Sequence, residues 1–136
     1  MAEPRAFISF DFDHNDTEKK LFVGQSKNSK TSFSIQDWSA KSSMPQDKWE
    51  AIVEEKIKKT NMVIVLVGRF MASATGVKKE IKMANDNNVP VFGVYVDDAN
   101  TSSNLPVGLA RSRVVKWNWE KIAEKIDEMM EQGKNK

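Results

Sequence analysis

The chain has no cysteine and only one histidine, and no apolar run approaches the length of a membrane span. Without thiols there is neither a disulfide framework nor a thiolate metal site. That suits a reducing compartment, and the expected location is cytoplasmic. A spanning helix needs about 18 consecutive apolar residues. Met1-Ala2-Glu3-Pro4-Arg5 also lacks the apolar core of a signal peptide. Neither sign of charge dominates: the first 68 residues carry ten acids and ten bases, the rest nine acids and eleven bases, for a net +2. With no basic patch, nucleic acid is not the expected partner. Both common phosphate cradles are missing, since no Gly-x-Gly-x-x-Gly follows the first strand and there is no Walker lysine loop. The lone histidine, His14, reads as a surface residue beside a helix start. The neighbouring Asp11, Asp13 and Asp16 have the chemistry to hold a divalent cation. Such a run ordinarily caps a helix in water, and no metal is expected.

The 136 residues are enough for one domain with one core. A hydrophobic content of 40% and a charged content of 29% are ordinary for a soluble globular protein. A single domain over residues 1–136 is expected, ordered from about 5 to 132, with a disordered tail at residues 133–136.

The most informative stretch runs from Asn61 to Asp97. Met62-Val63-Ile64-Val65-Leu66-Val67 is too apolar to face water and reads as a strand buried on both faces. Val77, Ile81 and Ala84 then recur at helical spacing. Val91-Phe92-Gly93-Val94-Tyr95-Val96 is a second buried strand. Strand, helix, strand is a βαβ unit with parallel strands and a right-handed crossover. Ligands of such sheets sit outside the carboxyl ends of the strands. Glu80 is out of place in this unit, at the edge of the apolar stripe. Its neighbours at three and four residues are Gly76, Val77, Met83 and Ala84, so no helical ion pair explains it. Two readings stand open: a carboxylate snorkelling off a helix edge, or one held at the rim of a site.

In chain order, Arg5 to Phe10 is a strand ending in acids. A helix over about Asp16 to Gln25 follows, capped by Asn15 or Asp16, with Leu21 and Phe22 as its apolar side. Phe33 to Asp37 alternates and reads as an edge strand. Ser43-Met44-Pro45-Gln46 starts a helix to about Thr60, with Trp49, Ile52, Val53 and Ile57 inward. After the βαβ unit, Val107 to Ala110 is expected to form a short helical turn and Arg113 to Trp117 the last edge strand. Asn118 caps a final helix whose core face is Trp119, Ile122, Ile126 and Met129. Five strands alternating with helices argue for an α/β, flavodoxin-like three-layer sandwich with a five-stranded parallel sheet of order 2-1-3-4-5. Flavodoxin chemistry itself is disfavoured, because Asp11, Asp13 and Asp16 replace the Ser/Thr phosphate loop. A receiver-like signalling domain would use those acids and Lys116, but Val67-Gly68-Arg69 stands where its phosphoacceptor aspartate should be.

Three boxes carry a resemblance. Arg5-Ala6-Phe7-Ile8-Ser9-Phe10 resembles the first box of Toll/interleukin-1 receptor (TIR) domains. Ser73-Ala74-Thr75-Gly76-Val77-Lys78-Lys79-Glu80-Ile81 resembles their serine loop and glutamate helix. Val115-Lys116-Trp117-Asn118-Trp119 sits where they carry a Trp-containing box. The resemblance covers about residues 5 to 130 and is best to short prokaryotic TIR-like proteins, the group that includes the TIR-like sensor of Thoeris antiphage defence. Two departures stand out: Ser39-Ala40-Lys41-Ser42-Ser43-Met44-Pro45 replaces the Arg-Asp-x-x-Pro-Gly assembly loop, and Gly76 replaces the usual tryptophan four residues before the glutamate.

The resemblance implies an enzyme that cleaves the nicotinamide–ribose bond of NAD⁺, its substrate rather than a resident cofactor. The product would be an ADP-ribose-derived signal nucleotide acting on a downstream effector. It implies Glu80 as the catalytic residue. It places Phe7, Ser9, Phe10 and Asp11 on one wall of the substrate site and Asp37, Trp38 and Ser39 at the end of the second strand. Ser73 would lie before the glutamate helix. Self-association and a phage-derived activator are further expected partners, and no membrane contact is. The alternative in a different class is a non-enzymatic interaction module using the Trp38–Pro45 loop and the edge strands.

Overall fold

The computed structural model describes residues 5–10, 17, 19–22, 24, 36–37, 46–68, 75–96, 99, 105–106 and 108–132. Strands β1 (Arg5–Ser9), β2 (Gln36–Asp37), β3 (Met62–Val67), β4 (Val91–Tyr95) and β5 (Val114–Val115) form one sheet. All pair in parallel, in the order β2-β1-β3-β4-β5. Helices α1 (Gln46–Lys58), α2 (Thr75–Asp86) and α3 (Trp119–Gln132) cover it, and residues 17, 19–22 and 24 are also helical. The chain is therefore an α/β protein built on a parallel sheet.

The three long strands are buried along nearly their whole length, and β3 entirely so. Alternating side chains divide between two cores. On one face, Phe7, Val63, Val65 and Val67 meet Val53 and Ile57 of α1 and Val77, Ile81 and Ala84 of α2. On the other, Ile8, Ile64, Leu66 and Phe92 meet Phe22 and the Ile122, Ile126 and Met129 stripe of α3. Every apolar residue of β3 has a packing partner because helices lie on both sides, which is why the sequence shows a continuous run there rather than an alternation.

Local chemistry fixes the ends. The Asn118 side-chain oxygen accepts the backbone N–H groups of Glu120 (3.0 Å) and Lys121 (3.3 Å), capping α3 as the sequence predicts. Helix α2 closes in a Schellman arrangement: Val89 N–H donates to Ala84 C=O at 2.9 Å and Asn88 N–H to Asn85 C=O at 3.3 Å. Asn88, at φ 58°, takes the left-handed position that glycine usually fills. Asn61 pins the start of β3 to β1: its side-chain oxygen accepts Arg5 N–H, and its own N–H donates to Arg5 C=O, both at 2.8 Å. Arg113 joins three elements, donating from Nε to Val91 C=O at 2.8 Å and from its terminal nitrogen to Gln132 Oε1 at 3.0 Å.

Several expectations are corrected. Residues 108–110 do not form a helical turn, because Gly108 sits at φ +93°, outside any right-handed helix. A 3₁₀ turn follows instead, over Arg111–Arg113, and it removes Arg113 from the last strand. Trp117 likewise lies beyond β5. Ile52 and Leu21 are exposed, at 40% and 52%. The side chains of Trp49 and of residues 33–35 lie outside the described residues, as do residues 11–16, with His14 and the acid run, and the tail.

Candidate functional site

Helix α2 runs back over the sheet from the carboxyl end of β3, so its first half lies above the carboxyl ends of the strands. Val77, Glu80, Ile81 and Ala84 fall at spacings of three, one and three, and all face the sheet. Their exposures are 2%, 4%, 0% and 0%. Glu80 is thus a full member of the buried stripe. The snorkelling reading is excluded: the carboxyl points inward, while its neighbour Lys79 points away to an ion pair with Glu50 on α1 at 2.7 Å.

Ser9, the last residue of β1, meets Glu80 from the sheet. It is fully buried, and its Oγ donates to Glu80 Oε1 at 2.6 Å across 71 residues of sequence. Strand alternation sets this contact. Phe7 and Ser9 project to the α1–α2 face, and Phe10 to the opposite face. Burial pushes the Glu80 pKa up from 4.5 to about 8, and the Ser9 hydrogen bond only partly opposes the shift. No charged side chain among the described residues offsets it. At neutral pH the group is therefore mainly the carboxylic acid. It can donate one hydrogen bond through its own O–H while accepting from Ser9.

Among the sequence-derived candidates, the structure brings Glu80 and Ser9 together. Phe7 is a core residue, 1% exposed, and contributes packing beneath α1 and α2. Phe10, 5% exposed, lies in the opposite core with Lys19 Nζ 5.9 Å from its ring centroid. Asp37 contributes the backbone of β2, and its side chain lies outside the described residues, as do Asp11, Trp38, Ser39 and Ser73.

One residue escaped the sequence reading. Tyr95 ends β4 on the same sheet face as Ser9 and is 7% exposed, and its hydroxyl has no hydrogen-bond partner among the described residues. The available signal was that it is the only tyrosine in the chain, at a strand's carboxyl end. Trp117 has a buried indole N–H that likewise finds no partner among the described residues, on the other face, where it packs against Phe22 at 5.7 Å between ring centroids. A surface groove between α1 and α2 is lined by Glu50, Glu54 and Asp86 against Lys79 and Lys82. That balance gives a nucleotide phosphate no net attraction. Among the described residues, no group of three His, Cys, Asp or Glu side chains is placed to hold a metal ion, and no helix is long and apolar enough to cross a membrane.

Comparison with known proteins adds a family. A crystal structure of a prokaryotic SEFIR domain is similar to this chain at 16% identity and a TM-score of 0.49, covering 96% of this chain and 92% of that one. No curated protein matches the chain. Residues 7–101 match the family model of the Thoeris protein ThsB, TIR-like domain. That match runs from Phe7, within β1, through β4, including both Ser9 and Glu80, and the chain belongs to the Thoeris ThsB TIR-like family.

Proposed function

We propose that this protein cleaves the bond between nicotinamide and ribose in NAD⁺, with Glu80 as the catalytic carboxylate. The observation that carries the reading is a carboxyl buried at the carboxyl end of the sheet and hydrogen-bonded by Ser9 at 2.6 Å. Burying an ionisable group without a counter-charge is costly to the fold, and such groups concentrate at functional sites. Family membership supports a defence-related, TIR-like role.

The chemistry follows from the charge. Nicotinamide leaves with the bonding electron pair and becomes neutral, so positive charge passes to the ribose as an oxocarbenium-like centre, as in glycoside hydrolysis. Ionised Glu80 stabilises that centre in a site largely closed to water. Water, or a nucleophile within the product itself, then attacks the ribose carbon, and the released proton passes to Glu80 or to solvent. Ser9 fixes the carboxyl's orientation. Asp11, Trp38, Ser39 and Ser73 are proposed to complete the nucleotide site, together with the Asp37 side chain. The product is proposed to be an ADP-ribose-derived signal that acts on a separate effector, made by a self-associated form of the protein after a phage-derived trigger.

The test is NAD⁺ consumption and product mass in lysates of phage-infected cells carrying wild type or Glu80→Gln. Wild type should yield a new species of ADP-ribose mass, or of that mass less one water where the product's own nucleophile attacks, and the variant neither while remaining folded. NAD⁺ turned over equally by both would remove Glu80 from catalysis. Unchanged NAD⁺ in wild type, with infection and protein verified, would favour the non-enzymatic interaction module.

A further inference from the structure

We infer that the Glu80 site takes up the pyridinium cation of an oxidised nicotinamide nucleotide in exchange for a proton, so that binding itself converts Glu80 to the reactive carboxylate. This inference rests on the function proposed above and goes beyond it, because it states how the site changes from its resting to its working form.

The surroundings of Glu80 lead there. From β1 it faces Ser9, a neutral donor. From β3 it faces the valine-lined core, and β4 adds Tyr95 as a titratable group on that face. Helix α1 brings Glu50 and Glu54, and both are engaged at the surface: Glu50 with Lys79 at 2.7 Å, Glu54 with the side-chain amide of Asn87 at 3.2 Å. The lysines of α2 turn outward. Lys78 is exposed, Lys79 is held by Glu50, and Lys82 reaches Asp86 at 2.7 Å. Among the described residues Glu80 therefore meets burial but no cation, and the group keeps its proton, its pKa pushed up to about 8. A bound cation beside it reverses that balance, since an opposite charge within a few ångströms favours the ionised form. The leaving group of the proposed reaction carries that charge before it departs. The site is thus neutral when empty and becomes anionic when a cationic ring enters. A dihydronicotinamide, neutral at the ring, does not supply the charge, and binding it leaves the proton in place.

The experiment is isothermal titration calorimetry of the full chain at pH 7. The probe is carbocyclic NAD⁺, which keeps the pyridinium but has no cleavable glycosidic bond. Two buffers of different ionisation enthalpy report the protons exchanged. Release approaching one proton per bound analogue is expected from wild type, with none on binding NADH and none from Glu80→Gln. Because the proton is a product of binding, wild-type affinity for the analogue should rise about tenfold per pH unit between pH 6 and 7 and level off above 8. Binding of the analogue without proton release, or equal release with NADH or from Glu80→Gln, overturns this inference and leaves the assignment of Glu80 as catalyst untouched. A wild type that binds neither nucleotide here and consumes no NAD⁺ in lysates of infected cells overturns both, and one that binds neither here yet consumes NAD⁺ there overturns this inference alone.

Discussion

A single side chain, Glu80, should tilt the pH dependence of folding. Its folded pKa is raised from 4.5 to about 8, so the fold favours the neutral acid. Below pH 4.5 the folded and unfolded chains both hold the proton, and there is no penalty. Between 4.5 and 8 the folded chain keeps a proton that the unfolded chain has released, so stability falls as pH rises, by about 1.4 kcal/mol per unit for a full proton. Above 8 both states are ionised and the loss stays constant, at several kcal/mol in order of magnitude. Glu80→Gln has no such group. Relative to wild type, its urea midpoint should be clearly higher at pH 8.5 and should converge at pH 5. Parallel midpoints across that range would contradict the buried carboxyl. Part of this was legible in the sequence, where a glutamate beside an apolar stripe has no basic residue at three or four positions. Its depth was not, because the hydroxyl that receives it lies 71 residues away on another strand. The Tyr95 hydroxyl stayed hidden for a similar reason: whether a strand-end side chain finds a partner depends on what folds over it.

At the scale of elements, the turn after β4 is set by Gly108. At φ +93° an alanine is strained by about 1–3 kcal/mol. Its Cβ would also lie 2.9 Å from Ile81 Cγ2 and 3.1 Å from Asn85 Nδ2 on α2. Gly108→Ala should therefore lower the denaturant midpoint at every pH by an amount in or above that range, and equal stability would mean the turn rearranges freely. The same residue explains why a helical turn was wrongly expected at 107–110: Val-Gly-Leu-Ala carries helix formers, but one positive φ breaks the period. Elements with two independent signals were legible. Helix α3 has both an Asn118 cap and an Ile122, Ile126, Met129 stripe, and both are realised. Strand β3 has length and β-branching, and it is wholly buried. Elements with one weak signal were misjudged. Ile52 fits the apolar spacing of α1, yet the stripe that α1 buries is narrower, and Val53 and Ile57 occupy it. The edge strands β2 and β5 have few residues in register with a neighbour, so alternation alone overstated the extent of the last one.

At the scale of the whole molecule, the sheet separates the site from half of the core. Ser9 and Glu80 lie between β1 and α2, on the face packed by α1 and α2, while Ile126 is 1% exposed in the opposite core. Truncating a buried isoleucine to alanine costs about 2–5 kcal/mol wherever it sits, and a domain of this size unfolds as one unit. Ile81→Ala and Ile126→Ala should therefore both lower the urea midpoint in a single transition. They should differ in what they do to Glu80. Ile81 adjoins it on the same buried stripe, so the cavity left by Ile81→Ala relaxes the burial that keeps the carboxyl neutral and draws its pKa back toward 4.5. The cavity left by Ile126→Ala lies beyond the sheet and leaves that environment intact. Comparing each variant with its own Glu80→Gln double mutant, from pH 5 to 8.5, isolates the carboxyl's contribution from all other titrations. The pH-dependent difference should shrink in the Ile81→Ala background and keep its wild-type size in the Ile126→Ala background. Equal shrinkage in both would mean that the two cores are not independent, and that Glu80's protonation responds to the whole fold rather than to the α2 face alone.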